Sequence, residues 1–235
     1  MKLHGYVFDI ETQPYGSLDL APFVKKAEPF DPEACKREFA TAREDSPKGR
    51  EFLAKKQAEH EAKANQAAKE FAEKAALKPE TGSVIAMGVI TPNGEENVVT
   101  GTEKAILGHF WDIYHTASTK GLRIYGWNIA DFDIPFLIRR SWKNGIKPPS
   151  IFVSNRYLTD DFVDLKKIYA CGVYGEHPSL DLAAKHLLGT GKSDQEVTGA
   201  TFHQYFNGTP EQRQLAIEYV KRDIRLTRAI GEIIA

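Results

Sequence analysis

Leu3-His4-Gly5-Tyr6-Val7-Phe8-Asp9-Ile10-Glu11-Thr12 is rich in β-forming residues and ends with two carboxylates one residue apart. Leu3 to Ile10 reads as a first strand. Side chains alternate faces along a strand, so Phe8 and Ile10 point one way and Asp9 and Glu11 the other. Two acids on one face repel each other and neither favours β-structure. A divalent cation with oxygen ligands would relieve that crowding. A solvated strand edge would also tolerate it, and this segment alone leaves both readings open.

Outward from that strand, composition changes. Residues from about 28 to 80 are dominated by Ala, Lys and Glu, and Lys48 to Lys78 has no Pro or Gly after Gly49. That composition predicts a long helix ended by Pro79. Its apolar residues (Phe52, Leu53, Phe71, Leu77) are sparse, so most of its surface should be wet and laced with pairs three or four residues apart. It reads as a solvated helical insertion after the first strand, or as an arm that meets substrate or a protein partner.

Beyond it, Ser83 to Thr91 is a strongly apolar strand, Pro92-Asn93-Gly94 supplies hairpin chemistry, and Glu96 to Thr100 returns as the next strand. Lys104 to Thr116 reads as helix and Leu122 to Trp127 as a central strand. A further helix starts near Pro135, a residue suited to a first helical turn. From Asp164 onward the pattern is mostly helical: Leu165–Ala170, Leu180–Leu188, and a closing helix from about Glu211 to Ile234. The order predicts an α/β fold with a mixed β-sheet flanked by helices. The chain is expected to form one domain over residues 1–235.

Bulk properties narrow the partners. The chain has 235 residues and a formal net charge of −1, so no global basic field draws in nucleic acid. A phosphate substrate would have to be held by local Lys and Arg or by bound cations. Cys35 and Cys171 lack metal-site spacing and read as reduced thiols of a cytosolic protein. The first ten residues turn acidic without an apolar run, as neither a signal peptide nor a membrane anchor would.

Two further segments carry acids. In Gly126-Trp127-Asn128-Ile129-Ala130-Asp131-Phe132-Asp133-Ile134-Pro135-Phe136-Leu137, Asp133 can cap the helix that follows, or present a carboxylate at the carboxyl end of a strand, where α/β sheets place ligands. On the closing helix, Leu215, Tyr219, Asp223, Leu226 and Ile230 fall on one stripe, which places Asp223 on the inward face. A buried carboxylate needs a cation, a hydrogen-bonding network or an arginine. Asp9, Glu11, Asp133 and Asp223 together make an acid-only set, the donor chemistry of Mg²⁺ or Mn²⁺. The chain contains no GxxxxGK[ST], HExxH, GxSxG or GxGxxG motif.

FDIET (Phe8–Thr12), the Asn128-to-Asp133 segment ending in Phe-Asp, and Tyr219-x-x-x-Asp223, in that order, resemble the three exonuclease motifs of the DEDD superfamily. The tyrosine places the likeness in the DEDDy branch. GWNIADFDIPFL, VDL at Val163–Leu165 and SLDLAAKHLLG at Ser179–Gly189 resemble the exonuclease domain of family B DNA polymerases. The resemblance implies a ribonuclease H-like fold and 3′–5′ exonucleolysis releasing nucleoside monophosphates. It implies two divalent cations (Mg²⁺ or Mn²⁺): Asp9 bridging both, Glu11 and Asp223 completing one site, and Asp133 serving the other through water. Tyr219 would position the attacking water. Asn128 and Phe132 would shape the strand-binding cleft, Phe136 would meet a terminal base, and Lys192 would touch a phosphate.

The chain stops soon after the third motif, so the expected protein is a stand-alone exonuclease acting on DNA with a free 3′ end, in the cytoplasm of a bacterium or encoded by a virus. The same chemistry on RNA, and a non-catalytic nucleic-acid-binding subunit, are the alternatives.

Overall fold

The computed structural model describes residues 2–14, 21–23, 28–34, 46–149, 161–173, 175–191 and 196–235. Cys35 and Lys192 lie outside the described residues. β1 (Gly5–Pro14) is the middle strand of a five-stranded sheet. On one side it pairs antiparallel with β2 (Gly82–Ile90), which pairs antiparallel with β3 (Glu96–Thr100) through the expected hairpin. On the other side β4 (Arg123–Gly126) runs parallel to β1, and β5 (Phe162–Asp164) parallel to β4. The order is β3-β2-β1-β4-β5, the mixed sheet the sequence predicts with one strand more. Every residue of β2 is buried, as expected of a strand covered on both faces.

The described residues include the helices α1 (Pro47–Ala75), α2 (Glu103–Lys120), α3 (Asp133–Lys143), α4 (Leu165–Tyr169), α5 (Leu180–Leu188), α6 (Phe202–Phe206) and α7 (Pro210–Ile234). Phe8 and Ile10 of β1 pack into a core with Leu107 and Phe110 of α2 and Ile134, Phe136 and Leu137 of α3. Val7, on the opposite face, packs with Leu165, Ala183, Ile224 and Ile230. The alternation read from FDIET therefore holds, and Asp9 and Glu11 turn toward α7.

Gly88 of β2 stands opposite Asp9 in the β1–β2 register. A Cβ there would lie 2.6 Å from Val220 Cγ1 and 2.9 Å from Ile224 Cγ2. The missing side chain lets α7 settle onto the sheet beside Asp9, with Asp223 between the two contacts. The helix is fixed at its start by Pro210 and by a capping box in which Thr209 accepts from the Gln212 N–H and Gln212 from the Thr209 N–H. Its buried face runs through Ala216, Tyr219, Val220, Asp223, Thr227 and Ile230. Leu215, expected on that face, is 46% exposed. The buried stripe is centred nearer Val220 and Thr227 than the sequence reading placed it, which leaves Leu215 at its edge.

The long helix expected before Pro79 is present as α1. Ser46 caps α1 by accepting the Gly49 N–H at 3.0 Å, and Gln57–Glu61 and Gln66–Glu70 bond across single turns. Residues 28–34 run beside it, with the Phe30 ring 5.8 Å from that of His60. The helix ends at Ala75, three residues before the expected stop. Proline disfavours helical backbone at Lys78, and the chain closes early through a Thr81 Oγ1 bond to the Ala75 carbonyl and a Gly82 N–H bond to the Lys78 carbonyl. Among the described residues no helix is long and apolar enough to cross a membrane.

Candidate active site

Asp9 and Glu11 from β1 and Asp223 from α7 converge: each offers a carboxylate oxygen, and these atoms lie within 4.8 Å of one another. Asp9 is half-buried, while Glu11 and Asp223 are buried. Like charges that close, away from water, raise one another's ionisation cost unless a cation intervenes. Each of the four arginines of α7 has a partner elsewhere. Arg213 bonds the Phe206 carbonyl, Arg222 the Gly191 carbonyl, Arg225 pairs with Glu96 and Glu218, and Arg228 with Glu232. The donor set is oxygen only and matches hard divalent ions such as Mg²⁺ and Mn²⁺.

Tyr219 lies one turn before Asp223 on the same buried face of α7. Burial first, then the charges of Asp223, Glu11 and Asp9, push its ionisation far above the ordinary tyrosine range. The side chain is thus held as a neutral phenol, able to donate and orient but not to act as a strong base. Gly199 passes close to its hydroxyl, where a Cβ would stand 3.7 Å away.

Asp133 stands apart from the three converging acids. It is not the N-cap of α3, a position taken by Phe132 without a side-chain bond. Instead its Oδ1 accepts the backbone N–H of Ile10 at 3.2 Å, between Asp9 and Glu11. Burial, then the charge of Asp9, holds its carboxyl well above the usual range, against the lowering effect of the Ile10 bond. Asp133 is therefore fixed to the same strand segment and senses Asp9 directly.

The other candidates separate. Phe132 is half-buried, and Phe136, 5.5 Å away centroid to centroid, sits in the core at 1% exposure. Phe132 therefore presents the more accessible ring, with Phe136 packed behind it. Phe136, four residues on, falls on the helix's inward face and still borders the same cleft as Phe132. Asn128 adopts φ +66°, and its side-chain oxygen accepts from Lys166 Nζ at 2.8 Å.

Sequence reasoning missed Asp164. Its two oxygens accept the N–H groups of Asn128 and Ala130 at 3.0 and 2.9 Å, and it also caps α4. It braces the loop that leads from β4 to Phe132 and Asp133. The available signal was Asp164 before a short apolar helix, an N-cap pattern, but its long-range bonds leave no trace in the sequence.

The family model described as RNase_H superfamily matches residues 72–235, well over half the chain. Among solved structures, the family B DNA polymerase from the hyperthermophilic archaeon Pyrobaculum calidifontis is similar, with a TM-score of 0.55 and 22% identity over 69% of this chain. The chain matches only 23% of that polymerase's length, and at that identity the likeness concerns the fold. No protein of curated function matches. The family match starts inside α1, so β1 with Asp9 and Glu11 joins the site through geometry alone. The mixed sheet, its flanking helices and the match over residues 72–235 agree: the chain belongs to the RNase H superfamily of nucleases.

Proposed function

We propose that this protein is a metal-dependent 3′–5′ exonuclease that removes nucleoside monophosphates one at a time from single-stranded DNA. The observation that carries the proposal is the convergence of Asp9, Glu11 and Asp223 within 4.8 Å from two elements at opposite ends of the chain. Those carboxylates would hold divalent cations, Mg²⁺ or Mn²⁺, with Asp133 serving a second ion through water. Two such ions supply water activation and charge stabilisation at the scissile phosphate. Tyr219, kept neutral by its buried, acid-rich surroundings, orients the attacking water. Asn128 and Phe132 border the path of the strand, and Lys192 contacts a phosphate. Residues 1–235 act as one domain with a helical insertion at about residues 28–80, of which α1 is part. Similarity to a DNA polymerase favours DNA over RNA.

A 5′-labelled single-stranded oligodeoxynucleotide with Mg²⁺ or Mn²⁺ tests this. A ladder descending from the 3′ end is expected, lost in Asp9→Ala and in Asp223→Ala. Binding without cleavage would overturn the proposal in favour of a non-catalytic subunit, and preferential cleavage of the matching oligoribonucleotide would reassign the substrate.

A further inference from the structure

A cleft of about 670 Å³ opens between the turn that ends the insertion and the first turns of α3. Leu77, Lys78 and Glu80 form one wall, Pro135 and Arg139 the other, and Phe132 is shared with the site described above. We propose that this cleft carries the unpaired strand 5′ to the scissile bond, so that the insertion supplies a wall of the substrate path. The proposal rests on the nuclease reading of the carboxylate cluster.

Continuity comes first. Phe132 lines the cleft and directly precedes Asp133, whose carboxylate is bonded to β1 between Asp9 and Glu11. A strand whose end lies at those acids and whose next base meets Phe132 runs naturally into the cleft.

Chemistry comes second. Leu77 is 59% exposed, a large apolar side chain set beside two cations, Lys78 and Arg139, and a half-exposed aromatic ring. Apolar or aromatic surface for bases with cations for phosphates is the combination that binds single strands without reading their sequence. The acids of the cleft are already engaged: Asp131 pairs with Lys167 at 3.0 Å and Glu80 with Arg139 at 3.4 Å. Both members of the Glu80–Arg139 pair are more than half exposed, so the bond is weak and a phosphate can compete for Arg139.

The wall is also built rather than draped. Arg140, buried beneath the cleft, donates to the Pro79 carbonyl at 3.0 Å while both of its other nitrogens bond Glu103. The turn is thereby tied to α3, and the two walls keep their spacing.

The test is the affinity of the full chain for a fluorescein-labelled single-stranded 12-mer, measured by anisotropy in EDTA so that no cleavage occurs. Lys78→Ala with Arg139→Ala should weaken binding by roughly tenfold, and the slope of log affinity against log salt should fall by about 0.7 per lost phosphate contact. Glu80→Gln should change affinity in the opposite direction, tightening it, because it releases Arg139 and removes a repulsive charge. A merely structural role would not invert the sign between the partners of one ion pair. Lys63→Ala, on the exposed flank of α1, is the control and should bind as wild type. Unchanged affinity in the double variant, or weakening in Glu80→Gln, would overturn the proposal. Cleavage of DNA by the wild type with unaltered affinity in the variants would sink the cleft alone. The expected affinity pattern without any cleavage in Mg²⁺ or Mn²⁺ would sustain the cleft and sink the exonuclease reading.

Discussion

The Asp133 carboxylate accepts the Ile10 backbone N–H at 3.2 Å, joining the start of α3 to the strand that carries Asp9 and Glu11. The bond spans 123 positions of sequence and places a buried acid behind two others. Its consequence is a conflict between stability and function at one side chain.

Asp133→Asn keeps an oxygen for the Ile10 N–H but removes a charge that burial and Asp9 make costly. Without divalent cations the variant should therefore melt higher, by about 2–4 °C for each kcal/mol regained, while nuclease activity falls roughly 10–100-fold. The sign with pH follows from the raised folded-state pKa. Wild type keeps its full stability from this group below the ordinary carboxylate pKa and loses it as pH rises toward the folded value. The gap in melting temperature between variant and wild type should therefore widen from acid to neutral pH. A scanning calorimetry series in EDTA checks it, and a gap that narrows with rising pH would contradict it.

Tyr219→Phe retains the ring contact with Phe202, whose centroid lies 6.0 Å away, and loses only the hydroxyl that faces the acids. We expect kcat to fall roughly 10²-fold with a stability loss of only about 1 kcal/mol. Because the phenol is held protonated far above the ordinary range, the residual activity should keep the wild-type pH profile. Loss of an alkaline limb in the variant would show instead that a tyrosinate takes part.

Gly88→Ala forces a methyl group into Val220 and Ile224, the residues flanking Asp223 on α7. The helix must lift from the sheet beside Asp9, which should lower Mn²⁺ affinity as well as stability, the latter by about 1–3 kcal/mol. Mn²⁺ titration followed by electron paramagnetic resonance, alongside denaturant melts, measures both. A variant that loses stability but binds Mn²⁺ as wild type would uncouple the glycine from the site.

Arg140 and Glu103, with side chains 4% and 14% exposed, form a two-pronged buried pair that also holds the Pro79 carbonyl. Arg140→Met leaves Glu103 charged without its main partner, and should cost about 3–5 kcal/mol. Joint replacement of Arg140 by Met and Glu103 by Gln, which removes the stranded charge and keeps an oxygen for the Val84 N–H, should recover part of that loss in urea melts.

Much of this architecture is legible in the sequence because periodicity records it. The two-residue repeat of FDIET separates Phe8 and Ile10 from Asp9 and Glu11, and the helical spacing of Tyr219 and Asp223 turns both inward. What the sequence conceals is short or long-range. β5 has three residues and α6 has five, too few for a period to emerge. Asp164 looks like any helix cap, since the bonds to Asn128 and Ala130 depend on how β4 and β5 lie side by side. Phe136 carries the aromatic character of a base-stacking residue, and only packing reveals that Phe132 covers it.

Asp9, Glu11 and Asp223 are expected to share a divalent cation. Crystals soaked in Mn²⁺ and measured at the manganese absorption edge test it directly. Anomalous density within coordination distance of oxygens of all three carboxylates is the expected result. Well-ordered carboxylates with Mn²⁺ bound only elsewhere would contradict it.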